Sequence, residues 1–233
     1  MIDSKEFDEW GSFYDPENLE IKQINKMVDL KGKDVLEIGC GTGRVTFKLS
    51  GYNKLTAIDK VEEYIEYCKK KNKNNIEFVH AEAGSLPFED ASFDVVIATW
   101  SIGGSKSFGS TIWDVSRLLK PKGVFLIIDE SGLGEFEELI NKFYLGYNKK
   151  IRMANSELKR QLNRFFSKVD QKNMYIPEVY PDLEIAVKWF KFELSEWHQK
   201  TVENEKDIRK ELEKFAKNGK VVINRGVMFL KVT

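Results

Sequence analysis

The sequence predicts an α/β protein with a doubly wound, mostly parallel sheet and an antiparallel strand at its C-terminus. Two observations lead there. Short apolar runs alternate with helical patterns from Lys33 to Asp129, and the first run ends in three closely spaced glycines, Gly39, Gly41 and Gly43. Strands that are apolar throughout must be covered on both faces, which is the mark of a parallel sheet between helices. Right-handed crossovers then leave a doubly wound topology.

Residues 1–30 read as a helical lead-in carrying the aromatic cluster FDEWGSFYD, Phe7–Asp15. Asp34–Ile38 is the first strand, and a helix is expected from Arg44 to about Ser50. Lys54–Ile58 is the second strand, ending at Asp59, and Tyr64, Ile65 and Cys68 share one face of the helix after it. The third strand, Ile76–His80, runs into AEAGSLPF, and FDVVIATW supplies the fourth. A short helix, Ser110–Leu119, a Pro-Lys-Gly turn and VFLIID complete the alternation. Residues 135–168 are rich in Lys, Asn, Phe and Leu at helical spacing and are expected to form a cap or insertion. Met174–Tyr180 reads as an edge strand, because Pro177 and Pro181 lack the N–H a central strand needs. Residues 174–233 are thus expected to run strand, helix, strand, closing with VMFLKV, and all of 1–233 to form one domain.

Lysine plus arginine equals aspartate plus glutamate, 37 each, so no global field draws the protein to nucleic acid or to an anionic membrane. Cys40 and Cys68 make neither a disulfide framework nor a metal-ligand cluster, so no metal is expected, and two lone thiols suit a reducing compartment. The acidic N-terminus is unlike a secretory signal, and runs such as VFLII are too short to span a bilayer. A cytoplasmic location is the expectation. The lysine-rich run Lys69–Asn75 reads as a solvated helix C-terminus, where the macrodipole favours cations.

A strand that stops in glycines and starts a helix exposes free N–H groups beside a positive dipole end. The dinucleotide fingerprint is G-x-G-x-x-G, but here the pattern is G-x-G-x-G, and Arg44 stands where the fingerprint has its last glycine. Glu37 precedes the loop. A carboxylate there repels a pyrophosphate and attracts a ligand bearing ammonium or sulfonium charge. The combination points away from a nicotinamide dinucleotide and toward a cationic nucleoside.

VLEIGCGTG resembles the first motif of the class I S-adenosylmethionine-dependent methyltransferases, in their small-molecule, type 11-like branch. LTAID resembles that family's second strand, HAEAGSLPFEDASFDVVIA its third and fourth, and RLLKPKGVFLIID its fifth. Together these cover about Lys33 to Asp129 in the family's order. The resemblance implies a Rossmann-like sheet of seven strands and S-adenosyl-L-methionine as cofactor. It implies Glu37, Gly39 and Gly41 at the methionine end, Asp59 on the ribose hydroxyls with Lys60 beside it, and Glu82 and Ala83 at the adenine. It also places Tyr14 and Trp10 over the cofactor and Trp100, with Ser101 and Ile102, at the methyl group. The family usually has Asp where this chain has Glu82. Each residue also has an ordinary role open to it: tight turns for the glycines, an N-cap for Asp59, loop packing for Ile102, sheet-edge packing for Trp10.

Transfer from a sulfonium needs chiefly proximity, orientation and exclusion of water, so pattern alone identifies no catalytic residue. His80 reads as a neighbour of the cofactor and His198 as a surface or cap residue. SIGG after the fourth strand is not the Pro-Pro-aromatic motif of amino-methylating DNA enzymes, and no Pro-Cys pair offers a nucleophile for cytosine. A small-molecule acceptor is the expectation, with no nucleic-acid partner. An RNA or protein methyltransferase, a nicotinamide oxidoreductase and a non-catalytic nucleoside-binding domain are the rival readings.

Overall fold

A computed structural model describes residues 3–72, 74–102, 108–197 and 205–233, without the side chains of residues 196 and 197. His198, Gly103 and Gly104 lie outside the described residues. Two short helices lead in: α1 (Ser4–Phe13) and α2 (Leu19–Met27). Asp3 caps α1 by accepting from Lys5 and Glu6 N–H, both at 2.9 Å, which contributes about 1 kcal/mol.

The sheet runs in the order β3-β2-β1-β4-β5-β8-β6. Its strands are β1 (Asp34–Ile38), β2 (Lys54–Asp59), β3 (Glu77–His80), β4 (Phe93–Thr99), β5 (Leu119–Glu130), β6 (Val169–Tyr180) and β8 (Lys220–Val232). A two-residue strand, β7 (Ala216–Lys217), pairs only with β8, bringing the sheet to eight strands. Strands β1 to β5 pair in parallel, and β8 runs antiparallel between β5 and β6. The alternating apolar runs therefore formed the expected sheet, with the C-terminal strand reversed. Pro177 lies in β6, the edge strand, where a missing N–H costs no ladder bond.

Helix α3 (Glu62–Lys71) buries Tyr64, Ile65 and Cys68 against the sheet, and its last turn points Lys69 to Glu66 and Lys71 to Asp8. Helix α4 (Phe108–Leu118) covers the opposite face. The expected block at 135–168 divides at Gly146, whose φ is +88°, into α5 (Glu135–Phe143) and α6 (Tyr147–Leu162). Leu158 and Leu162 of α6 join Phe125, Met228 and Leu230 in the core beside α4, so this part of the block covers the sheet. Helix α5 packs instead with α7 (Leu183–Phe192) and α8 (Glu205–Leu212) in a third apolar cluster around Trp189 and Phe190.

One expected helix is absent. Between Gly43 and Lys54 the chain forms only a 3-10 turn, Thr46–Lys48. Gly51 accepts from Gly32 N–H at 2.9 Å, and Lys54 must reach its place beside Asp34. That tether returns the chain before a longer helix can form.

Candidate cofactor site

Strand β1 is buried from Val35 to Ile38, and its end is bound tightly to β2: the N–H groups of Gly39 and Cys40 both donate to Ile58 O, at 2.8 and 2.9 Å. Gly39 has φ +76°, and a Cβ there would stand 2.3 Å from Ser101 Cβ. Gly41 has φ +53°, and a Cβ there would meet the Phe7 ring of α1 at 2.8 Å. Neither position has room for a side chain. With no helix following, the loop presents donors from its turn and not from a helix N-terminus. One is already used, since Gly41 N–H donates to Asp59 Oδ2 at 2.9 Å.

Asp59 ends β2 half-buried, and its Oδ1 accepts from Val61 N–H at 2.9 Å. Two backbone bonds hold the carboxylate still and leave lone pairs on both oxygens for further donors. Glu37 is wholly buried; the Thr46 hydroxyl lies against it without an aligned hydrogen bond, and neither carboxylate oxygen has a charged or well-aligned partner. Burial pushes its carboxyl from 4.5 up to about 7. An orphaned carboxylate beside a glycine loop is costly unless a donor or cation completes it.

Trp100 follows β4 with φ +56°, a conformation that non-glycine residues rarely hold. Its N–H donates to Ile128 O at 2.8 Å, and its indole Nε1–H donates to Glu20 Oε1 at 2.9 Å. Tyr14 meets Trp100 edge to face, with centroids 5.4 Å apart, and the Arg44 guanidinium lies 4.5 Å from the Tyr14 ring centre. Arg44 donates to Glu20 Oε2 at 2.5 Å. The structure thus gathers Tyr14, Glu37 and Trp100 around an Arg44–Glu20 pair. Glu20 escapes sequence reading because an acid in the first turn of a helix already has a reason to be there, the macrodipole. Ser101 donates to Ile38 O at 2.8 Å, and Ile102 is buried in the α4-side core, so these two tie and pack the loop.

On the β3 side, His80 Nε2–H donates to Lys60 O at 3.0 Å, while the Lys60 side chain is exposed. Glu82 is exposed and Ala83 half-buried against the core. The loop after them is fixed by Arg117, which donates to Leu86 O and Phe88 O at 2.7 Å each, and by Asp114, which accepts from Leu86 N–H.

Beyond Trp100 lies a second buried charge cluster that no local pattern announces. Arg225 of β8 donates to Glu178 (2.6 Å), Glu193 (2.6 Å) and Glu130 (3.2 Å), and its guanidinium lies 3.6 Å from the Phe136 ring centre and 5.5 Å from that of Trp100. Glu137 accepts from Gly226 N–H at 3.0 Å. Burial raises the carboxyl of Glu137 to about 8 and also raises those of Glu130 and Glu193.

These raised carboxyls set a pH dependence. Glu37 and Glu137 bind protons more tightly folded than unfolded between their ordinary 4.5 and about 7 to 8, and Glu193 shifts in the same direction. Stability therefore falls as pH rises through that window, by up to about 1.4 kcal/mol per pH unit for each group still protonated. Urea unfolding is expected to show a lower midpoint at pH 8 than at pH 6; an equal or higher one would contradict these assignments.

A sheet of this strand order, with a glycine turn after β1 and acids at the ends of β1 and β2, is the fold of the class I S-adenosylmethionine-dependent methyltransferases, and the chain has that fold. More particularly, residues 36–127 match the family model described as methyltransferase domain. A demethylmenaquinone methyltransferase of Lactococcus lactis is 33% identical over 139 residues, 56% of this chain and 52% of that protein. The chain spans about half the length of the curated relatives it matches. Among solved structures, the YcgJ protein of Bacillus subtilis superposes with TM-score 0.62 at 20% identity, over 91% of this chain and 95% of that one. Phosphoethanolamine N-methyltransferase 2 of Haemonchus contortus, solved with S-adenosyl-L-methionine, gives TM-score 0.59 at 18% identity, over 93% of this chain and 52% of that one. At these identities the two structures share the fold. Among the described residues, no helix is long and apolar enough to cross a membrane.

Proposed function

We propose that the protein transfers a methyl group from S-adenosyl-L-methionine to a small-molecule acceptor by in-line displacement. The observation that carries this reading is the Glu37 carboxylate, buried without a charged or well-aligned partner at the end of β1, next to a glycine turn that admits no side chain. That arrangement suits a cationic nucleoside and repels a pyrophosphate. Glu37, Gly39 and Gly41 would hold the methionine end, Asp59 the ribose hydroxyls with Lys60 alongside, and Glu82 and Ala83 the adenine. Tyr14 and Trp100 would close the site toward the acceptor. The cofactor supplies a methyl group activated by its sulfonium charge. The chain's own part is to orient and to exclude water, which its aromatic wall of buried Tyr14 and half-buried Trp100 favours.

The acceptor class that the relatives' name supports is a demethylated quinone ring, and the half-buried Trp100 indole, backed by Tyr14, offers aromatic surface on that side. Calorimetry is expected to show saturable binding of S-adenosylmethionine and none of NAD; the reverse would overturn the cofactor reading. Incubation with S-adenosylmethionine and a soluble demethylated naphthoquinol is expected to give a product heavier by one methylene unit. Methylation of phosphoethanolamine and not of the naphthoquinol would overturn the acceptor class while leaving the cofactor intact.

A further inference from the structure

We propose that Glu20 is a positioning residue for methyl transfer: it holds the Arg44 guanidinium away from Glu37 and fixes the Trp100 indole, keeping Glu37 free for the cationic end of the cofactor. This rests on the cofactor reading above. Glu20 belongs to α2, outside the matched segment 36–127, yet it reaches two loops at the strand ends. Its side chain is wholly buried, and each oxygen has one partner, Trp100 Nε1–H on Oε1 and Arg44 on Oε2.

The geometry poses a competition. Arg44 is the cation nearest to hand for two buried carboxylates, Glu20 and Glu37, and it bonds to Glu20 alone. A buried carboxylate left without a partner is expensive, so an Arg44 released from Glu20 turns to Glu37. The guanidinium would then occupy the place a ligand's ammonium needs. Trp100 adds a second dependence. Its φ of +56° is a strained conformation that persists only where the surroundings over-determine it, and the Glu20 bond is one of the two that do so.

The charged and titratable groups around Glu37 are Arg44 on the loop, Glu20 on α2, Asp59 on β2 and the Cys40 thiol. In the wild type, Glu37 is freed from its proton as pH rises through about 7, so affinity for S-adenosylmethionine is expected to rise between pH 6 and pH 8. In Glu20→Gln the amide oxygen can still accept from Trp100, but the charge that holds Arg44 is gone. Affinity at pH 8 is expected to fall by about tenfold or more, the scale of a charge-assisted bond. The slope between pH 6 and 8 is expected to flatten, because Arg44 then keeps Glu37 ionised throughout. Adding Arg44→Met to Glu20→Gln removes the competitor and is expected to restore the slope.

Calorimetry with S-adenosylmethionine at pH 6, 7 and 8 on these variants, with circular dichroism as the folding control, reads all three expectations. A Glu20→Gln variant that binds as the wild type does, or binds more weakly with an unchanged slope, overturns the role of Glu20. If Glu20→Gln does not fold, Arg44→Met alone decides: its binding slope is expected to move to higher pH, and an unmoved slope overturns the proposal. A wild type that binds no S-adenosylmethionine at any pH overturns the cofactor reading instead.

Discussion

Arg225→Leu is expected to unfold the protein or leave it barely stable at neutral pH. Arg225 is 3% exposed and is the shared cation of Glu130, Glu178 and Glu193, with Glu137 close by on α5. Breaking a buried ion pair by removing one partner costs about 3–5 kcal/mol, because the charge left behind has no compensation. Here several carboxylates are left, one of them also bonded to Tyr180 and another to Tyr147. A domain of ordinary stability has about 5–15 kcal/mol in all. The damage should be partly repaired at pH 5 to 6, where the freed carboxyls take up protons. Arg225→Lys should fall between, since an ammonium lacks the planar fork that reaches partners on β5, on β6 and beyond α7 at once. Urea unfolding at pH 5.5 and 7.5 measures all of this; a leucine variant within about 1 kcal/mol of wild type at pH 7.5 would show the cluster to be replaceable by packing.

Asp59→Asn is expected to weaken S-adenosylmethionine binding by about a hundredfold, with a much smaller effect on folding. Both oxygens of Asp59 accept from backbone N–H groups, those of Gly41 and Val61. Asparagine has one acceptor and one donor end, so whichever way it turns, one loop meets an N–H where it needs an oxygen. Hydrogen bonds to a charged group are worth about 1.5–3 kcal/mol each, and about 1.4 kcal/mol is tenfold in affinity. Losing one loop contact and one ribose contact gives the stated magnitude. Asp59 is half-buried, so the loops can find water instead, and the unfolding midpoint should move little. Calorimetric binding within threefold of wild type would remove Asp59 from the cofactor site.

How much of this was legible beforehand differs by element. Strands β1, β2, β4 and β5 were readable because burial on both faces makes them apolar throughout, and β6 because Pro177 suits an edge. The helix expected at Arg44–Ser50 was misread: the local pattern allowed it, but the bond from Gly32 to Gly51 did not. The block at 135–168 looked like one cap because its composition is uniform, whereas Gly146 splits it and Leu158 and Leu162 assign α6 to the sheet. Of the residues singled out beforehand, Tyr14, Glu37 and Trp100 come together, while Ile102 turns into the core.

By itself, the sequence determined the succession of the parallel strands, the glycine turn with its acid, and the placing of Asp59 at a strand end. These are local matters, since apolar periodicity, glycine backbone freedom and strand length all act within a few residues. Only the tertiary structure decided which charges meet. Glu20 reaches Trp100 across 80 positions and Arg225 reaches Glu130 across 95, distances over which no pattern in the chain can be read. Ion pairs depend on position in space, and here that position follows from β8 lying between β5 and β6 and from α2 covering the strand ends.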